Sequence, residues 1–355
     1  MKKSFMEQEI EQQSTIFKEL ISKYIVNYVI KVDFPSKFKR VKFVASGSSS
    51  HCAYLGARFF KNIAGIDADC EFASEFLLNK NKVDPDTLYY FISQSGETSD
   101  VLSALEFVKD NDGASFALTN NFYSTISKKA DFRMEVCAGA EKSIAATKSF
   151  TASIFCVWLC AVKLAQSKSK NILKYIEDVH LLPEITEKLI SNAALGKKIE
   201  NVAKFLSKFK NVPIVGYGYY FELAKEGALK TKETSYIDAN AYALGEFLHG
   251  HVAILNQKCP LILLYDKDMK DVQARNIAKV IDKYNPKIIA VTDTEDARAD
   301  YVLNFPKLEN DLMKVMSAVV ILQLIALKTA TCLKRDVDNP VGLDKVVKDE
   351  SVSRV

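Results

Sequence analysis

The sequence predicts two tandem α/β domains, each a doubly wound parallel sheet, and three observations carry that prediction. Short continuous apolar runs recur, each followed by a polar turn and a helical pattern, which is how strands buried on both faces read. The runs come twice in the same order, once in each half of the chain and at nearly constant spacing. The chain has 355 residues, 48% apolar and 26% charged, enough for two domains with cores of ordinary size.

In the first half, the apolar run 41–45 ends in Gly47-Ser48-Ser49-Ser50 and leads into a helix over 52–63. Its counterpart, 213–215, ends in Gly216-Tyr217-Gly218, with Gly216 standing where Gly47 stands in the first half. The run 88–92 enters Ser93, and 261–265 enters Asp266. Residues 116–120 match 289–293 at that same spacing, and Ala130-Asp131-Phe132 matches Ala299-Asp300-Tyr301. Residues 1–30 read as a helical arm with Phe5, Ile10 and Phe17 on one side. The first domain is expected over 31–170, a charged helical connector over 171–195, the second domain over 196–335 and a polar, loop-like tail over 336–355.

Composition excludes several classes. A net charge of +4 and a pI near 8.4 are too mild for a nucleic-acid binder but suit an anionic small substrate. The longest apolar runs, 150–162 and 315–327, fall short of the ~20 residues of a membrane span and are closed by Lys163 and Lys328, so both read as buried helices. Glu7, Glu9 and Glu11 follow Met1-Lys2-Lys3 where a leader would be apolar, so no secretory signal is expected. Seven cysteines without a CxxC pair read as reduced thiols in a cytoplasm. Cys156, Cys160 and Trp158 share an apolar helix and are expected in the core.

Ser93-Gln94-Ser95-Gly96-Glu97-Thr98 follows a strand directly, and Asp100 opens a helix. Small hydroxylated residues around a glycine at such a turn offer backbone N–H groups, hydroxyls and a positive helix end to one anion. The Gly47 turn is a second such element; alone it reads as an ordinary helix start. There is neither a GxGxxG nor a GxxxxGK[ST] sequence, so neither a dinucleotide nor a P-loop is indicated.

In the second half, Glu226, Lys230 and Glu233 are spaced i, i+4, i+7 and share one helix face. Such a stripe is ordinarily solvated. Here residues 239–251 follow, a stretch too apolar and glycine-punctuated to read as a surface loop. His249 and His251, two of only four histidines, lie in it without a third residue of metal-ligand spacing.

Residues 93–98, Ala145-Ala146-Thr147-Lys148-Ser149-Phe150, and Glu226 through His249 together resemble the sugar isomerase (SIS) superfamily, whose domains are flavodoxin-like. The resemblance covers roughly residues 45–345. It is to the isomerase half of glutamine–fructose-6-phosphate amidotransferases and, through residues 141–148, to stand-alone SIS-type glucosamine-6-phosphate deaminases. It implies that Ser49, Ser93, Gln94, Ser95 and Thr98 hold the sugar phosphate, with Ile144 and Ala146 also contacting the sugar. It implies Glu233 as the base moving a proton between C1 and C2, with Lys230 assisting. His249, donated across a homodimer interface, would open the ring, and Lys345 would fall at the family's Schiff-base lysine. No cofactor, metal, nucleic acid or membrane is implied. Ala146 stands where the synthases have Ser, and Val341 where they have Arg. The first apolar strand already begins at Val41, too early for a glutaminase domain to precede it, so glutamine hydrolysis is not expected.

The implied reaction converts glucosamine 6-phosphate to fructose 6-phosphate and ammonia, by aldose–ketose isomerisation and imine hydrolysis. An ammonia-dependent synthase, a deglycase or isomerase on another phosphosugar, and a phosphosugar sensor without turnover are the alternatives.

Overall fold

The computed structural model describes residues 3–79, 82–256 and 259–345. The chain divides into two compact units. One holds Thr15–Glu141, Lys148–Leu181 and Asp344–Val355; the other holds Met1–Ser14, Lys142–Thr147 and Leu182–Leu343. The 142–147 segment and the start of the chain thus belong with its later part.

The first unit is built on five parallel strands: β1 (Arg40–Ala45), β2 (Asp67–Phe72), β3 (Thr87–Ile92), β4 (Ala114–Thr119) and β5 (Phe132–Glu135). Their order is β2-β1-β3-β4-β5, the flavodoxin-like winding. All six residues of β3 are buried, because the strand is central and covered on both faces. Phe43, Tyr90 and Phe116 stack across neighbouring strands, at centroid distances of 4.8 and 4.6 Å. The helices α1 (Ser48–Phe59), α2 (Ser99–Asp110) and α3 (Lys148–Ser167) flank the sheet. A Cβ on Gly56 of α1 would come within 2.5 Å of Val157 of α3, so a glycine is needed where these helices touch.

The second unit repeats the design with β6 (Asn211–Gly216), β7 (Asp238–Ala243), β8 (Pro260–Leu264), β9 (Lys287–Thr292) and β10 (Tyr301–Asn304), in the order β10-β9-β8-β6-β7. Its long helices are α4 (Tyr219–Ser235) and α5 (Asp311–Cys332), which pack on each other through Gly227 and Leu322. The repeated aspartates do the same work in each half. The Asp131 carboxylate accepts the Ser115 N–H at 2.9 Å, and that of Asp300 accepts the Ile288 N–H at 2.9 Å. Each thereby ties the turn before the last strand to the second residue of the preceding one.

Helices α3 and α5 are long and apolar enough to cross a membrane, but 89% and 78% of their apolar windows are buried within the protein. Cys156, Cys160 and Trp158 on α3 are fully buried, as core residues should be.

The arm differs from its expectation. It comprises helices Phe5–Glu11 and Gln13–Tyr24 and then a two-stranded hairpin, Ile25–Val26 with Val29–Ile30. Ile10 and Phe17 are buried, but Phe5 is 37% exposed, with the Lys142 ammonium over its ring at 4.9 Å. The first-half helix starts at Ser48 rather than at 52, because Gly47 takes φ +58° and turns the chain at once. Of the tail, residues 346–355 lie outside the described residues.

Candidate functional site

In the first unit the strand order reverses between β1 and β3, the place where open α/β sheets leave a crevice for ligands. Ala45 pairs with Ile92, so the turns that follow leave the same edge side by side. Ser49 lies in the first turn of α1, which follows the one strand, and Ser93, Gln94, Ser95 and Thr98 lie in the turn that follows the other. Ser93 is 3% exposed; the other four are half-buried.

The turn after β3 is held from within. Ser93 Oγ accepts the Gly96 N–H at 3.0 Å and lies 3.1 Å from Thr98 Oγ1, while Ser95 Oγ accepts the Glu97 N–H at 3.1 Å. Gly96 takes φ +69°, and a Cβ there would collide with Ser124. Thr98 is extended at the start of α2, whose first N–H groups have no partner within the helix. The turn after β1 is similar, with Ser50 Oγ donating to the Gly47 carbonyl at 2.7 Å. The result is a set of hydroxyls and helix-start N–H groups, with no Lys or Arg between residues 93 and 98. A dianionic monoester matches that donor set.

In the second unit, α4 carries the predicted acid/base stripe, and it is not solvated. Lys230 is 1% exposed, with its Nζ 2.5 Å from Glu233 Oε2 and 3.4 Å from Glu226 Oε1. Glu226 is buried, and the Glu233 side chain is 19% exposed, although its Oε2, next to Lys230, is buried. A charge placed so deeply on a helix requires such partners.

His249 is not joined to this cluster. It is exposed, its backbone N–H bonds to Glu246, and among the described residues its side chain has no partner. The stretch around it is anchored by buried Leu244 and Phe247, but its end, including Gly250, His251, Ala253 and Ile254, is exposed. Of residues 239–251, Ala239, Leu244 and Phe247 are buried and Tyr242 and Leu248 pack against the core, while Gly245, Glu246 and 249–251 are exposed, so the expectation holds for the first part of the stretch and fails at its end. His251 stacks on Tyr242 at 4.8 Å.

Ile144 and Ala146 are half-buried on the 142–147 loop of the second unit. Lys345, in the first unit, places Nζ 2.6 Å from Glu141 Oε2; that buried carboxylate also accepts the Ser149 N–H at 3.1 Å and hydroxyl at 2.6 Å. Neither Glu141 nor Glu9, which holds the start of the 142–147 loop, stood out in the sequence, since a lone glutamate gives no signal until its donors are known.

The turn after β8 answers to the one after β3 but is filled. Asp266 accepts N–H groups of Asp268 and Met269 at 3.1 and 3.2 Å, pairs with Lys314 Nζ at 3.1 Å and takes the Tyr220 hydroxyl at 3.3 Å. Burial next to Asp266 pushes Asp293 above the usual carboxylate range.

Among the described residues no group of three or more His, Cys, Asp or Glu is disposed to hold a metal. Burial pushes the Cys160 thiol up to about 12, too high for a nucleophile.

Comparison with known proteins adds three findings. The SIS domain family model matches residues 36–163 and again 205–331. The glutamine–fructose-6-phosphate aminotransferase (isomerizing) of Methanosarcina mazei is 33% identical over 98% of this chain and 58% of its own length. The chain spans less than two thirds of the length of the curated relatives it matches. Among solved structures, the C-terminal domain of glucosamine-fructose-6-phosphate aminotransferase from Francisella tularensis superposes with a TM-score of 0.89 at 26% identity, covering 96% of this chain and 98% of that one. Glucosamine-6-phosphate deaminase from Thermotoga maritima has the same fold, with a TM-score of 0.77 at 20% identity over 97% of this chain and 99% of that one.

Proposed function

The chain belongs to the SIS domain family, and from that premise we propose that it is a phosphosugar isomerase that converts glucosamine 6-phosphate to fructose 6-phosphate and ammonia. The observation that carries the reading is the buried Glu226–Lys230–Glu233 stripe. Burying a lysine between two carboxylates costs stability, and such arrangements concentrate where their chemistry is used.

In this reading Ser49, Ser93, Gln94, Ser95 and Thr98 bind the phosphate, and Ile144 and Ala146 contact the sugar. His249, from a second copy of the chain in a homodimer, passes the proton that opens the ring; its exposure supports such a donation. Glu233 takes the proton from C2 of the open aldose and returns it to C1. This leaves an imine at C2, which water hydrolyses to the ketone with loss of ammonia. Lys230 stabilises the negative charge that develops on O1. Lys345 assists the carbonyl chemistry from its place on Glu141. Seven free thiols fit a cytoplasmic location.

The reverse reaction, an ammonia-dependent synthesis, is the second reading. It is favoured by the likeness to relatives named aminotransferases. The same residues serve in either direction. Ammonia release from glucosamine 6-phosphate, against a panel of hexosamine, fructosamine and ketose 6-phosphates, tests the proposal. Turnover of fructose 6-phosphate with ammonium but no release in the other direction would favour the synthase. Tight binding without any turnover would make the protein a sensor.

A further inference from the structure

The loop 142–147 carries Ile144 and Ala146, and the N-terminal arm grips it. Glu9, on the helix Phe5–Glu11, is 4% exposed although it is a carboxylate. Its Oε1 accepts the Lys142 N–H at 2.5 Å; its Oε2 accepts the Ser143 hydroxyl at 2.5 Å and lies 3.3 Å from the Ser143 N–H. Ser143 Oγ in turn lies 2.9 Å from the Ala145 carbonyl, so the first bend of the loop is built on this one carboxylate.

The rest of the loop rests on the same arm. Ala145 packs in one buried cluster with Met6, Ile10, Leu327, Ala330 and Val337. The Thr147 carbonyl accepts from Gln323, whose Oε1 accepts from Gln13 at 2.9 Å, and Gln13 also donates to the Ile10 carbonyl. The arm helix is fixed at its own start by Asp338, which accepts the Phe5 and Met6 N–H groups at 2.7 and 2.9 Å. The loop, the arm helix Phe5–Glu11 with Gln13, and the 336–343 segment therefore form one hydrogen-bonded assembly within the second unit.

We infer that Glu9 is a positioning residue for sugar recognition: it sets the conformation in which Ile144 and Ala146 meet the substrate, while taking no part in phosphate binding or proton transfer. The inference rests on the phosphosugar reading above, and on Ile144 and Ala146 contacting the sugar in particular. A buried carboxylate that satisfies three donors is hard to replace. Glutamine keeps its volume but offers a single acceptor oxygen and turns an N–H₂ toward donors.

The test compares wild type, Glu9→Gln and Glu9→Asp. Ammonia release from glucosamine 6-phosphate gives kcat and KM, and calorimetry gives Kd for fructose 6-phosphate and for inorganic phosphate. Glu9→Gln is expected to raise the sugar KM and the fructose 6-phosphate Kd about tenfold, as loss of a charge-assisted hydrogen bond would. Inorganic phosphate Kd and kcat should stay near wild type, and Glu9→Asp should recover part of the loss. Unchanged sugar KM and Kd, or a parallel loss of phosphate affinity, would overturn the inference. Should Glu9→Gln fail to fold, Ser143→Ala removes one leg of the clamp and must shift sugar affinity in the same direction; no shift overturns it equally. If the wild type releases no ammonia, the reaction assigned above is wrong, yet the ratio of fructose 6-phosphate to phosphate affinity still decides the role of Glu9.

Discussion

Lys230 Nζ lies 2.5 Å from Glu233 Oε2, one turn ahead on the same helix, and 3.4 Å from Glu226 Oε1, one turn behind. The lysine and Glu226 are almost wholly buried, whereas Glu233 is partly open. The lysine is thus held between a buried carboxylate and a partly exposed one.

Replacing Lys230 by Met should therefore destabilise the fold as well as abolish activity. It removes the cation held between two carboxylates, and breaking a buried pair from one side costs about 3–5 kcal/mol. Urea denaturation of Lys230→Met against wild type measures this, and a change below about 1 kcal/mol would contradict the buried pairing.

Glu233→Gln separates chemistry from binding. It should lower kcat for ammonia release by about 10²–10⁴-fold, the usual worth of a general base. Inorganic phosphate affinity, read by calorimetry, should not change. A variant keeping a large fraction of kcat would assign the base elsewhere.

Gly96→Ala attacks the phosphate turn through its backbone. The φ of +69° costs a non-glycine residue about 1–3 kcal/mol, and the added methyl meets Ser124. The expected outcome is a lower melting temperature together with phosphate binding weakened about tenfold or more. Gly245→Ala, where a Cβ meets nothing within 4 Å, is the control and should leave both near wild type.

Asp296 gives the acid limb of stability. Burial alone would push its carboxyl up, but Arg298 at 2.9 Å and the Tyr265 hydroxyl at 2.6 Å outweigh that and hold it below the usual range. Its contribution is thus complete above the ordinary aspartate pKa of about 3.9 and fades as pH falls through the lower folded value. Urea midpoints from neutral to strongly acidic pH should show wild type losing this increment at the acid end. Asp296→Asn should be less stable at neutral pH and lack that part of the acid-induced decline.

Much of the architecture is legible in the sequence because it is written in period and repetition. The central strands β3 and β8 are continuous apolar runs, and Asp131 and Asp300 recur at matching places because each closes the same backbone contact. Strands β2 and β7 gave no such signal. Asp67–Phe72 and Asp238–Ala243 are edge strands, half solvated, and apart from Phe72 and Tyr242 their residues are polar or small. The phosphate turn and the α4 stripe could be read from local spacing. Glu9 and Glu141 could not, because their meaning lies in partners distant in the chain: Lys142 and Ser143 for the one, Ser149 and Lys345 for the other. His249 stands apart from the α4 cluster for a related reason: the apolar residues around it that signalled burial are Leu244 and Phe247, which point the other way.

Duplicated sheets would ordinarily offer two equivalent binding crevices, and Asp266 removes that symmetry. Where the first sheet ends in hydroxyls and a helix start, the second already carries its own anion, neutralised by Lys314 and seated on the N–H groups of Asp268 and Met269. A titration with inorganic phosphate should accordingly saturate at a single equivalent per polypeptide. The two copies of one sheet have thus diverged at the same turn, and in the second it is the helix α4 that carries charged, buried side chains.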